Sequence, residues 1–339
     1  MYALDKASAA LALISVGSIV KQSRDSRRLY FHFILATDLS WWENTKSLNA
    51  IVRDIGGNAR FEAKTWSSVP AVIAAMSVRG KHPERYPVIS FALIYVGILF
   101  PALDRYIYLD NIIFSTSSID ELWETSLDGR AVGMVQRCDE DFRAMVVKGK
   151  ALNVRHSAVK AIFKTFKHLC YPSEGVLLVD QARLNSTNYV SRIEEWIDLN
   201  QREFVFQYGV HQLMVMATWG NCLPLEDGWN AMADSRTADT ALVRFNAPSD
   251  RRFMLSTMVK IIDTNRTFAK GKTFSSLTRT ACRQSQDELS EQWCKIAATV
   301  FQLPELQQLF NASVTAISLR SDVSFMPLIM EFLLMAILH

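Results

Sequence analysis

The segment Arg105-Tyr-Ile-Tyr-Leu-Asp110-Asn-Ile112-Ile sets one carboxylate at the end of a β-branched and aromatic run. Side chains two apart on an extended strand share a face, so an Asp-x-Asp at a strand end offers two carboxylates to one hard divalent cation. Such a cation neutralises charge that gathers on a departing diphosphate. Here the second position is Ile112, a hydrocarbon, and a single Asp holds Mg²⁺ or Mn²⁺ poorly. On local pattern alone, Asp110 is also an ordinary turn residue closing a buried strand.

The other residues able to do chemistry are dispersed. His32, His82, His156, His168, His211 and His339 show neither H-x-x-x-H nor H-E-x-x-H spacing, which argues against a zinc site. Cys138, Cys170, Cys222, Cys282 and Cys294 form no C-x-x-C, and their odd number predicts buried free thiols rather than a disulfide framework. No P-loop or G-x-G-x-x-G is present. Asn185-Ser-Thr, Asn265-Arg-Thr and Asn311-Ala-Ser match the glycosylation sequon, a triplet that chance supplies often. Trp41-Trp42 reads as an amphipathic helix burying one ring, with an exposed recognition patch as the other reading.

The elements that must position Asp110 follow from periodicity. Helices are predicted near 6–22, 41–54, 69–78 and 88–99, and strands near 29–36, 58–65 and 105–109. That alternation is the rhythm of a mostly parallel sheet with helices on both faces, and it places Asp110 at the carboxyl end of a strand, where α/β sheets bind ligands. Gly56-Gly57 and Pro101 punctuate it. Further strands are expected at 131–136 and 175–180, with helices near 188–201 and 209–218. Past about residue 250 the pattern turns helical, near 252–262, 285–300, 303–311 and 325–338.

Composition bounds the function classes. The 339 residues are 49% hydrophobic and 21% charged, enough for a large core in one or two domains. A net charge of +3 without a basic stripe argues against a nucleic-acid partner. The basic opening, with Lys6, Lys21, Arg24, Arg27 and Arg28, has the charge of an organellar transit peptide, but its apolar spacing reads as a folded helix. No apolar run reaches the roughly 18 residues of a membrane span. The closing Phe325–Leu338 stretch, interrupted by Glu331, reads as a helix docked on the core or on a partner.

The order of motifs is similar to that of the family 8 glycosyltransferases. Tyr106-Ile-Tyr-Leu-Asp110 resembles the family's Y-L-D-A-D strand, Ile119-Asp-Glu-Leu-Trp-Glu124 its ELW helix, and Ala131-Val-Gly-Met-Val135 its A-x-A-V strand. Gly175-Val-Leu-Leu-Val-Asp180 resembles N-S-G-V-L-L-x-D, and Cys222-Leu-Pro-Leu-Glu-Asp-Gly-Trp229-Asn230 resembles L-P-x-x-W-N. The resemblance implies a GT-A fold over residues 1–252, with 253–339 as a helical extension packed on it or on a partner. It also implies a nucleotide-sugar donor, commonly a UDP-hexose, with Mn²⁺ on the Asp-x-Asp pair and a later His.

Carried over residue by residue, the family's donor and metal positions are depleted. The Arg preceding the strand corresponds to Gly97, and the metal pair to Asp110 and Ile112. The G-D-Q-D carboxylates and amide correspond to Val210, His211 and Gln212, which are therefore degenerate catalytic positions. The metal His corresponds to Arg244, and the phosphate-binding Lys to Asp250, or to Arg251 if the register slips by one. Ser173 and Glu174 replace the Asn and Ser before Gly175. Asp5, after a first strand of only Met1-Tyr-Ala-Leu, completes the vestigial donor set; either the base-binding edge is trimmed or Met1 is not the natural start.

An Arg at the metal His would aim a permanent positive charge at Asp110, making an ion pair in place of a metal; the competing reading turns Arg244 to solvent and leaves Asp110 capping backbone. The expectation is a non-catalytic, glycosyltransferase-like structural or interaction subunit, with no cofactor and with other protein subunits as partners. Any membrane association would run peripherally through such a partner, and the compartment is left open by the sequence, an organelle such as the mitochondrion and the cytosol both being compatible with this reading. The alternative is an active retaining transferase with a UDP-sugar and an altered site, metal-independent or still using Mn²⁺, in the Golgi or secretory pathway.

Overall fold

The computed structural model describes most of residues 1–39, then 57–66, 88–141, 152–165, 170–203, 210–218, 221–245 and 287–300, with a few single residues between. The helices expected near 41–54, 69–78, 252–262, 303–311 and 325–338, and Trp41-Trp42, lie outside the described residues.

In chain order the elements are β1 (Tyr2–Leu4), α1 (Ala9–Gln22), β2 (Tyr30–Leu35), β3 (Arg60–Thr65), a 3₁₀ segment (Val88–Tyr95) running into α2 (Val96–Leu99), and β4 (Arg105–Leu109). There follow β5 (Ile113–Ser115), α3 (Asp120–Glu124), β6 (Val132–Asp141), α4 (Ser157–Thr165), β7 (Cys170–Asp180), α5 (Gln181–Ser186), α6 (Tyr189–Arg202) and α7 (Val210–Ala217). The last are β8 (Cys222–Leu225), β9 (Ala231–Met232), β10 (Leu242–Arg244) and α8 (Glu288–Val300).

Two sheets, ordered β1-β2-β3 and β4-β7-β6-β8, meet edge to edge. The Met1 nitrogen donates to the Ile107 carbonyl at 2.8 Å, and the Leu109 N–H donates to the Met1 carbonyl at 3.1 Å, a parallel pairing of β1 with β4. The resulting order is β3-β2-β1-β4-β7-β6-β8. The pairings β3/β2, β2/β1, β1/β4 and β6/β8 are parallel, whereas β7 runs antiparallel to both β4 and β6. The expected mostly parallel sheet is present, and β7 is its reversed member, a direction that periodicity does not encode.

Alternation along the strands divides the core in two. Ile107, Leu109, Val176 and Leu178 face one apolar cluster with α1 and α8, while Tyr106, Tyr108, Leu177 and Val179 face another with α6 and α7. Helix α1 is buried from Ala9 through Val20, and its Ala, Ser and Gly positions let it lie close under the sheet. The segment 88–99, expected as one helix, begins as a 3₁₀ turn and becomes α-helical only at Val96. Its Val, Ile, Phe and Tyr residues have modest helix propensity, and burial rather than propensity holds it.

The expectation of free thiols is overturned for four of the five cysteines. Cys138 is bonded to Cys170 across β6 and β7, and Cys282 to Cys294 on α8. Cys222 is the free thiol, and burial pushes it up to about 12. The sequence spacing missed these bonds because each joins residues brought together by the fold, not by a short motif. Among the described residues, no helix is long and apolar enough to cross a membrane.

Candidate functional site: an ion pair at the carboxyl edge

Asp110 sits where β4 ends, beside the carboxyl end of β1, as expected from the sequence. Its N–H donates to the Gly175 carbonyl at 2.8 Å, and its own carbonyl accepts from the Ile113 N–H at 3.1 Å, closing a tight turn into β5. Strand β5 then pairs antiparallel with β10, with Ile113 opposite Arg244. The Phe245 N–H donates to the Ile112 carbonyl at 3.1 Å and extends that register. These pairings carry the Arg244 guanidinium back over the turn, where Nη2 lies 3.3 Å from Asp110 Oδ2. The ion pair expected from the sequence is therefore present, and the reading with Arg244 in solvent is not: the two side chains are 16% and 21% exposed.

A second layer holds the pair in place. The pairing of β6 with β7 slips between Met134, opposite Leu177, and Val135, opposite Ser173. That irregularity frees Gly175 to meet the Asp110 backbone. A Cβ at Gly175 would lie 3.1 Å from Asn230 Oδ1 and 3.2 Å from Arg244 Nε, so the glycine is required for their close approach. Asn230 is 3% exposed and donates through Nδ2 to the Ser173 carbonyl at 3.1 Å and to Ser173 Oγ at 2.8 Å. Its Oδ1 has no hydrogen-bond partner among the described residues, nor does Asn111 Oδ1 in the turn beside Asp110. Neither Asn230 nor Ser173 was assigned a role from sequence, although Asn230 closes the quoted L-P-x-x-W-N match. The signal was the motif itself, read for family rather than for packing.

The remaining expected residues are distributed differently. Asp5 lies at the same sheet edge but is turned onto Ser8, the residue before α1: its Oδ1 accepts from the Ser8 N–H at 2.8 Å and from Ser8 Oγ at 2.7 Å. Ile112 packs against the apolar cluster under α1. Gly97 is not brought to Asp110. A Cβ there would meet Gln181 Nε2 at 2.7 Å, and the Gln181 N–H bonds the Asp104 carbonyl at 2.7 Å, which fixes this corner to the opposite end of β4. Val210, His211 and Gln212 open α7, and Val210 is buried among apolar side chains. Asp250 and Arg251 lie outside the described residues.

Chemically, among the described residues, the edge offers the Asp110 carboxylate paired with the Arg244 guanidinium, the Asp5 carboxylate engaged by Ser8, the amide oxygens of Asn111 and Asn230, and the hydrocarbon of Ile112. A divalent cation needs oxygen or nitrogen donors, and it would meet here a fixed like charge 3.3 Å from its carboxylate ligand. With that guanidinium on the Asp110 carboxylate, the residues present do not fit Mn²⁺. Burial, aided by the negative charge of Asp110, pushes the Tyr2 hydroxyl well above the ordinary range, so it serves as a neutral partner of Ser15 Oγ at 2.8 Å. A separate cleft of about 650 Å³ lies on the other face of β10, where Val243 rather than Arg244 lines it. Its charged lining is Glu121, Glu226, Asp239 and Glu288 against Arg24 and Arg236, a balance unsuited to a diphosphate.

Comparison with known proteins fits this geometry. The model of glycosyl transferase family 8 matches residues 1–249. Among curated sequences, the chain is 26% identical over 220 residues to probable galacturonosyltransferase-like 6 of Arabidopsis thaliana, covering 65% of this chain and 60% of that one. It is 26% identical over 222 residues to probable galacturonosyltransferase-like 9 of the same organism, covering 65% and 55%. The chain thus spans under two thirds of the length of these relatives. In fold it is similar to the galactosyltransferase LgtC solved with donor and acceptor sugar analogs, with TM-score 0.54, 20% identity, and 74% of this chain and 87% of that one covered. It is similar also to the bifunctional glycosyltransferase WbbM, with TM-score 0.51, 12% identity, and 73% and 45% covered. With the GT-A sheet, the motif order and a family match over 249 residues in agreement, this chain belongs to glycosyl transferase family 8.

Proposed function

We propose that this family 8 chain does not transfer sugar and serves as a structural or interaction subunit of a larger assembly. The observation that supports this is the Asp110–Arg244 ion pair, which occupies the carboxyl edge with a permanent positive charge 3.3 Å from the carboxylate. Ile112 and Val210 remove further polar donors from the same set of family positions. No cofactor is expected, other protein subunits are the expected partners, and nucleic acid is not among them. Calorimetry with Mn²⁺ and UDP-hexose tests it: no saturable heat, no hydrolysis and no transfer are expected. Micromolar binding of UDP would overturn it.

One observation favours a second reading. Arg244, at the position that corresponds to the family's metal His, sets a permanent positive charge at the carboxyl edge, and that charge supports a reading in which the guanidinium stabilises a leaving diphosphate without a metal. The relatives' names then suggest an activated galacturonic acid as donor. Turnover of UDP-galacturonic acid in excess chelator, abolished by Arg244→Ala, would establish this reading over the first.

A further inference from the structure

We propose that the chain matures in an oxidising, glycosylating compartment and that Asn185 carries an N-linked glycan. Two independent observations converge. The first is the pair of disulfides, Cys138–Cys170 and Cys282–Cys294, in separate parts of the fold. Disulfides persist where the redox poise is oxidising and are rare where thiol buffers keep cysteines reduced. The second is the Asn185-Ser186-Thr187 triplet on the outer face of α5. Of the three sequons it is the one among the described residues.

The surroundings of Asn185 suit a glycan. It is open: Ala182, Arg183, Asn185, Ser186 and Asn188 are all exposed, and Ile98 beside Gly97 is 70% exposed. The Asn185 side chain leans on Gly97, whose missing Cβ leaves space for it, and Oδ1 accepts from Gln181 Nε2 at 2.6 Å. The Oδ1 bond leaves the amide nitrogen as the atom that carries the sugar. This corner adjoins the start of β4, about 16 Å along a five-residue strand from Asp110. The attachment point therefore lies at the opposite end of β4 from the carboxyl edge.

The chemistry balances as follows. Each disulfide forms as two thiols lose two protons and two electrons to a disulfide-bearing oxidant, which is reduced to a dithiol. At Asn185 the bond from Nδ2 to the anomeric carbon forms as the bond from that carbon to a lipid-linked diphosphate breaks. The amide proton is lost and the diphosphate leaves. The hydroxyl that the sequon requires is that of Thr187, whose Oγ1 donates to the Leu184 carbonyl at 2.7 Å in the folded chain.

The test is mass spectrometry of the full-length protein purified from its own cells. Alkylation under denaturing, non-reducing conditions is expected to label Cys222 and to leave the other four cysteines unlabelled. Peptide N-glycosidase is expected to shift the mass and convert Asn185 to Asp. Asn185→Gln and Thr187→Ala, expressed in the same cells, should each lose that shift, two variants guarding against a folding defect in either. Labelling of all five cysteines would overturn the compartment, and an unmodified Asn185 in a protein with both disulfides formed would overturn the glycan.

Discussion

Arg244 stands across the β5–β10 pairing from Ile113, and that register brings its guanidinium to 3.3 Å from Asp110. Removing one member leaves the other charge mostly desolvated and without this partner. Arg244→Ala should therefore destabilise the fold by about 1–3 kcal/mol, less than a fully buried pair because both side chains retain some solvent contact. Asp110→Asn with Arg244→Met should recover most of that loss. Urea unfolding of the single and double variants reads the difference, and equal losses in both would sink the pair as a structural element.

If the guanidinium excludes the cation, restoring family residue types should readmit it. The double variant Ile112→Asp with Arg244→His presents two carboxylates and an imidazole at one strand end. It should bind Mn²⁺ with a dissociation constant on the order of millimolar or tighter, about −4 kcal/mol, while the parent shows no saturable heat. Calorimetry on both proteins checks it, and Mn²⁺ bound equally well by the parent is the contrary result.

The path to this site shows what a sequence carries and where it stops. Asp110 at a strand end, the helices over 189–202 and 210–217, and the strands over 30–35 and 60–65 follow from periodicity, which records burial directly. The partnership of Asp110 with Arg244 was legible only through family order, since 134 positions separate them. The short β5, β9 and β10 were not anticipated: two or three residues are too few for an alternating pattern. Gly97 was placed at the donor site by motif correspondence, yet its packing against Gln181 and Asn185 puts it at the opposite end of β4. The disulfides likewise depend on which segments the fold brings together.

Gly175 is the place where the site tolerates least. An added methyl would press on Asn230 and on Arg244 at 3.1–3.2 Å, contacts with side chains rather than backbone, so relief comes by moving them. Gly175→Ala should cost about 1–2 kcal/mol and shift Arg244 away from Asp110, weakening the salt dependence of stability. Unfolding at low and high salt measures both effects, and a variant as stable as the parent at each would contradict the close approach.

Burial also makes His32 sensitive to acid. It lies on β2 beside Glu62 at 3.3 Å, with the Phe100 ring against it, and burial chiefly lowers it from 6.5 to about 4. The folded state therefore binds its proton less readily than the unfolded chain does. Its contribution is fully present above pH 6.5 and is lost progressively as pH falls towards 4, because over that window the unfolded state takes up the proton first. The urea midpoint should drop across this window, and His32→Gln, which keeps a polar group facing Glu62, should flatten the drop. A slope unchanged in that variant would assign the acid sensitivity to other groups.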